Sequence, residues 1–247
     1  MAVVARGRAE GAPTDRGGAF AAEWIFTDRL GGASVGDFAS LNVGGSVGDD
    51  PAAVASNRAL IAGSLGADAL ALVHQVHGRD VVRLAAPAAQ PPAADAVVTE
   101  VVGLPVAVQT ADCVPVLLAD LVGGQVAAVH AGWRGVVADV VGATIEEMAA
   151  PGPVLAWVGP AICPGCYEVS DEVRSEIAAV VPEAYAQTRI GTPAVDVRAG
   201  VLAQLARHGI TGELVGGCTF EDPDLYSYRR DQVTGRQAGA IVLRELP

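Results

Sequence analysis

The sequence is short of side chains that bind metal or carry positive charge. Its 247 residues include four histidines and four cysteines, and 16 Lys and Arg stand against 28 Asp and Glu, a formal net charge of −12 at pH 7. That balance argues against a nucleic-acid partner, which would want a basic face. No apolar run is long enough to span a bilayer. No charged n-region leads into an h-region at the start. The expectation is a cytoplasmic protein with no membrane partner. The four cysteines are scattered, not framework-like, which speaks against a disulfide scaffold and for a reducing compartment. No internal repeat or low-complexity linker divides the chain. We expect one domain over 21–247 with ample apolar residues for a core, preceded by a loose Ala-, Gly- and Arg-rich segment at 1–20.

What is present centres on residues 110–135, TADCVPVLLADLVGGQVAAVHAGWRG. Two apolar, β-branched runs, 114–119 and 125–130, flank a glycine-containing reversal and read as a β-hairpin. With the turn centred between Leu121 and Val122, Cys113 falls opposite His130. Directly opposed residues share a face with Cβ atoms about 5 Å apart. A thiolate and an imidazole on one face suit zinc, or copper, better than magnesium or calcium. Asp112 then points to the other face. Residues 136–149 have helical spacing, so His130 ends a strand just before a helix. Arg134 adds a cation suited to phosphate or carboxylate. The competing reading is a buried free cysteine and a histidine ending a strand.

Along the rest of the chain, 24–27 reads as strand, and Arg29 to Ser34 as a glycine turn that presents an arginine or simply lies on the surface. Asp50 and Pro51 read as N-cap and N1 of a helix that stops at Gly66 and carries Arg58. Residues 69–84 read as strand. His74 and His77 are three apart and therefore face opposite sides, so one at most joins a given metal. Short strands are expected at 95–102, 105–110, 154–158 and 240–244. Cys163 and Cys166 form a C-x-x-C, either a redox pair or half a zinc site. With no second C-x-x-C and no nearby histidine, a structural loop is the expectation. Glu168 is a general acid or base, or a loop carboxylate. Cys218 reads as a lone small apolar residue. Ser170 and Asp196 cap helices, the second ending at His208 and Gly209. Residues 226–236 gather Arg229, Arg230 and Arg236 with tyrosines. This is a basic cluster suited to an anionic group, or else a set of structural salt bridges.

Five stretches together resemble the laccase-domain family (YfiH-like; multicopper polyphenol oxidase or purine nucleoside phosphorylase proteins). They are ADCVPVLL with HAGWRG, HQVHG at 74–78, GPAICPGCYEV at 159–169, YSYRRDQVTGRQAG at 226–239, and TDRLGGAS with SLNVGGSVGDDPAAVASNR nearer the start. The resemblance implies an α/β (α+β) fold, a mixed β-sheet sandwich flanked by helices. It implies a metal site of His77, Cys113 and His130, with Cys113, His130 and Arg134 catalytic. Arg29, Ser34, Asn42, Arg58 and Arg229 become expected substrate-binding residues. Three protein ligands on zinc leave a fourth position open, the pattern of catalytic sites. Four histidines are too few for a self-contained multicopper cluster, so one zinc, or one copper, is expected. The implied chemistry is phosphorolysis of purine nucleosides (adenosine, inosine, methylthioadenosine), with adenosine deamination beside it. Peptidoglycan-precursor editing, single-copper polyphenol oxidation and a non-enzymatic zinc-stabilised partner-binding domain are the alternatives.

Overall fold

The computed structural model describes residues 3–12 and 19–246. In chain order the strands are β1 (Val3–Glu10), β2 (Ala19–Thr27), β3 (Ala71–Leu72), β4 (Val81–Arg83), β5 (Ala96–Thr99), β6 (Val106–Thr110), β7 (Val114–Asp120), β8 (Gln125–Ala131), β9 (Val154–Val158), β10 (Tyr185–Gln187), β11 (Pro193–Val195), β12 (Gly212–Leu214) and β13 (Gln237–Leu246). The helices are α1 (Pro51–Ser64), α2 (Trp133–Val137), α3 (Val140–Met148), α4 (Asp171–Val180), α5 (Val197–Arg207) and α6 (Tyr228–Asp231).

Two mixed sheets form a sandwich. The first has the order β1-β2-β13-β6-β3 and the second β12-β9-β7-β8-β5-β4. Alternation along the strands sorts the apolar side chains into three cores. Trp24, Phe26, Val106, Val108, Ile241 and Leu243 of the first sheet meet Leu117, Ala119, Val126, Ala128 and Trp157 of the second. The intervening residues Val116, Leu118, Ala127 and Val129 face the other way, against Val136, Val140, Met148, Ile177, Val201 and Leu205 of the helices. On the outer face of the first sheet, Ile25, Ala107, Ala240 and Val242 pack on Ile61, Ala62 and Leu65. The layers therefore run helix, sheet, sheet, helices. Strands covered on both faces need continuous apolar runs, which is why β7 and β8 lack polar alternation. Each fully buried Leu or Val in them contributes about 1.5–3 kcal/mol.

The expected helix caps are present. The Asp50 side chain accepts from Ala52 N at 3.0 Å, Ser170 Oγ from Val173 N at 3.4 Å and Asp196 from Ala199 N at 2.9 Å. Gly66 and Gly209 follow their helices at φ +61° and +72°.

Three expectations about local structure change. The segment expected to be loose contains β1, paired antiparallel with β2; residues 13–18 lie outside the described part. The expected strand over 69–84 is two short strands in different sheets, β3 beside β6 and β4 beside β5, with a loop between them. The helix expected over 136–149 is broken at Asp139, which adopts φ +64°. Asp tolerates this conformation better than most residues. Its side chain then caps α3 by accepting from Gly142 N at 3.3 Å.

Candidate metal centre

Two links that carry the chain from the first sheet to the second pass the same end of the sandwich. One joins β3 to β4 and contains His77; the other joins β6 to β7 and contains Cys113. In the second link Asp112 takes φ +93° at the corner. Its backbone carbonyl accepts from Ile162 N at 3.0 Å, and its carboxylate accepts from Thr219 Oγ1 at 2.7 Å and Arg229 N at 2.6 Å. His130 arrives on β8, opposite Pro115 and not opposite Cys113. The hairpin turn is centred between Val122 and Gly123, one residue later than expected. Asp120 causes this: its Oδ1 accepts from Val122 N at 3.0 Å and Gly123 N at 2.8 Å, and Gly124 closes the turn at φ +72°. The pairing offset is thus two residues. An even offset keeps Cys113 and His130 on the same face.

The ligand atoms of His77, Cys113 and His130 lie within 4.8 Å of one another. His77 Nε2 is 3.9 Å from Cys113 Sγ, and the two imidazole rings meet edge to face at 4.8 Å. His74 lies outside the cluster, held by backbone bonds to Pro92 and Ala94. Asp95, which is fully buried, organises the group. Its Oδ1 is 2.8 Å from His130 Nδ1, leaving Nε2 for the cluster. The same carboxylate accepts from the amides of Val76 at 3.3 Å, His77 at 3.0 Å and Gly78 at 2.6 Å. These bonds hold His77 at its φ of +60°. A carboxylate behind a ligating histidine is the usual support of a metal site, fixing tautomer and ring orientation.

The residues present fit an ion. A Cβ on Gly132 would come within 3.0 Å of Cys113 Sγ and 3.1 Å of His77 Cδ2, so the space beside the ligands depends on that glycine. Sulfur and imidazole donors suit zinc or copper. Burial opposes the Cys113 thiolate, but the charge of His130 and hydrogen bonds from both histidines outweigh it and pull the thiol down to about 6. Burial likewise opposes the His130 cation; the Cys113 thiolate and Asp95 overcome it and raise His130 to about 9.

Residues 23–244 match the family described as multi-copper polyphenol oxidoreductase laccase. The chain belongs to this laccase family. It is 52% identical over 232 residues to a purine nucleoside phosphorylase of Streptomyces griseus, covering 90% of this chain and 94% of that one. A solved Neisseria meningitidis protein is 37% identical, with a TM-score of 0.81 and coverage of 90% and 94%. YlmD from Geobacillus stearothermophilus is 32% identical, with a TM-score of 0.82 and coverage of 90% and 92%. Likeness to named enzymes at this identity supports catalytic activity for this chain. No helix among the described residues is long and apolar enough to cross a membrane.

Around the cluster of this laccase-family chain the side chains are aromatic and cationic. Tyr167 is half-buried; burial and the nearby Cys113 push its phenol up to about 12, against the opposing charges of Arg229 and Arg134. The Arg229 guanidinium lies 4.9 Å from the Tyr167 ring centre, and Arg134 lies 4.5 Å from that of Trp133. Arg134 is exposed and has no side-chain hydrogen bond or ion pair among the described residues. Arg236 feels the charge of Cys113 and Asp112, while burial lowers its own pKa.

The N-terminal candidates are tied into a network of their own. Buried Ser34 donates to Asp49 Oδ2 at 2.6 Å, and Asn42 Nδ2 donates to the same oxygen at 2.8 Å. Asn42 Oδ1 accepts from Arg236 N at 2.8 Å, linking that network to the arginine beside the cluster. Arg29 Nε donates to Ala39 O at 2.8 Å, and Arg58 Nε donates to Val43 O at 2.9 Å. These bonds shape the loop over 28–50 and occupy part of each side chain.

Sequence reasoning missed Asp95, whose signal is only an acid after an alanine run. It also missed the crossover geometry of Asp112. The C-x-x-C was left without partners, yet the fold brings Cys218 and Glu221 to it.

Proposed function

We propose that the chain is a zinc-dependent purine nucleoside phosphorylase. It would convert adenosine, inosine and methylthioadenosine, with phosphate, to free base and ribose 1-phosphate, and deaminate adenosine slowly. The observation that carries this reading is the three-ligand cluster beside a wall of arginines and aromatic rings. The name borne by the Streptomyces griseus relative points the same way. The histidines give no support to a multicopper cluster, as their number led us to expect, since His74 and His208 stand outside the three-ligand site.

His77, Cys113 and His130 would hold zinc, which would supply Lewis acidity when bound. The protein's own groups do the rest. Asp95 holds His130 in the tautomer that presents Nε2. Arg134, Arg229 and Arg236 draw in phosphate and offset its charge; guanidinium forks match phosphate oxygens. Tyr167 keeps its proton at neutral pH, offering a hydrogen bond to the substrate, and its ring with Trp133 gives apolar surface for a purine. In the reaction a phosphate oxygen bonds to C1′ of the ribose as the glycosidic bond to the base breaks, and the departing base nitrogen takes up the proton that the hydrogen phosphate gives up.

The test is zinc-loaded protein incubated with inosine or adenosine, with and without phosphate. Base and ribose 1-phosphate should form only when phosphate is present. Arg134→Ala should raise the KM for phosphate about tenfold, the effect of losing one charge-assisted hydrogen bond of about 1.5 kcal/mol. Deamination should change less, because it binds no phosphate. Folded, zinc-loaded protein that leaves nucleosides intact but removes serine from a seryl muramyl precursor would replace this reading with precursor editing.

A further inference from the structure

We propose that Cys163, Cys166, Cys218 and Glu221 bind a second zinc ion in a closed, structural site. The ligand atoms of these four residues lie within 4.8 Å of one another, and all three cysteines are free thiols. A tetrahedron with zinc–sulfur bonds of about 2.3 Å has sulfurs about 3.8 Å apart, so small shifts bring the four atoms onto one ion. The sequence C-P-G-C builds half of the site. Pro164–Cys166 is a single 3-10 turn, closed by Cys166 N donating to Cys163 O at 3.0 Å, and it turns both sulfurs to one side. The other half comes from 55 residues away, where Cys218 Sγ accepts the Cys163 amide at 3.2 Å. An amide aimed at a sulfur favours the thiolate that a metal needs. Cys166 Sγ lies 3.4 Å from Glu221 Oε1. Arg189 pairs with that same oxygen, which leaves Oε2 free among the described residues.

The charges nearby suit a divalent cation. Three thiolates and a carboxylate around Zn²⁺ leave two negative charges in excess. Arg189 Nη1 is 3.4 Å from Cys166 Sγ, and Arg198, held by Gly217 O at 2.8 Å, lies where Cys218 and Cys163 act on its charge. A disulfide between any two of these cysteines would leave the third thiol and Glu221 unused. With four protein ligands the site has no open position, the pattern of a structural site. What it would hold is the wall of the first site. Tyr167 directly follows Cys166, and Thr219, next to Cys218, donates to Asp112, the neighbour of Cys113.

The experiment is zinc analysis of purified full-length protein, prepared under reduction, together with its Cys113→Ala variant. Wild type should carry two zinc per chain, and Cys113→Ala should keep one. In that variant the three remaining thiols should resist alkylation until a strong chelator is added, and its Tm should fall on chelation. Cys166→Ser/Cys218→Ser should lose one zinc and keep the other. Cobalt in Cys113→Ala should show intense sulfur-to-metal charge-transfer absorption. If the double variant fails to fold, the zinc count, alkylation and cobalt spectrum of Cys113→Ala still decide. One zinc in wild type and none in Cys113→Ala overturns the proposal. So does a metal-free chain whose mass under non-reducing conditions is two hydrogens short. One zinc in wild type and none in Cys113→Ala leaves the nucleoside reading standing, and a metal-free chain is assayed for nucleoside cleavage after zinc is added back, so the two proposals fail separately.

Discussion

The Asp95 carboxylate stands 2.8 Å from His130 Nδ1, and so decides which nitrogen of that ring faces Cys113. The same group receives the amides on either side of His77. One buried acid therefore orients two of the three ligands, one through its ring and one through its backbone. Asp95→Asn should weaken zinc binding about 10- to 100-fold, the usual effect of losing such a support. Competition with a chelator measures it. Unchanged affinity would mean that the ligands hold their places without Asp95.

Gly132 separates steric from chemical effects. Its φ of −80° is open to any residue, so alanine is acceptable to the backbone. The added methyl would meet Cys113 Sγ at 3.0 Å and His77 Cδ2 at 3.1 Å. Overpacking of this kind costs about 1–3 kcal/mol, roughly a 5- to 150-fold loss of zinc affinity. Circular dichroism should show an intact fold. Full zinc affinity in Gly132→Ala would show that the ion sits elsewhere.

The metal-free protein should show a reactive thiolate. The Cys113 pKa is lowered to about 6 from 9.0, and that of His130 is raised to about 9 from 6.5. Cys113 has lost its proton above about 6 and His130 keeps its own below about 9, so the ion pair exists between these limits. Alkylation of Cys113 in chelated protein should rise with pH through a midpoint near 6 and be blocked by zinc. A midpoint near 9 would show that no such pair forms.

Asn57 tests the roles of Ser34 and Asn42. Its side chain accepts from Ala33 N at 2.7 Å and donates to Ser34 Oγ at 2.9 Å and Asn42 O at 2.8 Å, the last two away from solvent. Asn57→Ala strands these groups and should cost about 3 kcal/mol. Urea unfolding should show a lower midpoint with an unchanged slope. A variant as stable as wild type would imply that the loop over 28–50 is held by other contacts.

Local signals foretold much of this architecture, and distant contacts account for what they missed. Asp50 with Pro51, Ser170 and Asp196 announce helix starts because a cap acts within three residues of itself. The shared face of Cys113 and His130 survived an error in register because strand alternation has a period of two. The register itself depended on Asp120 folding back on Val122 and Gly123, a side-chain choice that glycine positions alone do not reveal. Residues 69–84 read as one strand because their valines and leucines do serve sheets, but two different ones. Asp95 meets His130 across 35 residues, and Cys218 meets Cys163 across 55, distances at which spacing carries no signal.

The placement of His77 and Cys113 on the two sheet-to-sheet links bears on where the chain can change length. Neither ligand rides on a free loop. A residue added to either link would move a ligand and at the same time slide a strand against its neighbours. The tip of the β7–β8 hairpin lies at the far end of these strands from Cys113, where Val122 is exposed. Insertions there lengthen a surface turn at small entropic cost. A short peptide tag placed after Val122 should therefore leave zinc content intact, while the same tag after Ala111 should remove the zinc held by His77, Cys113 and His130.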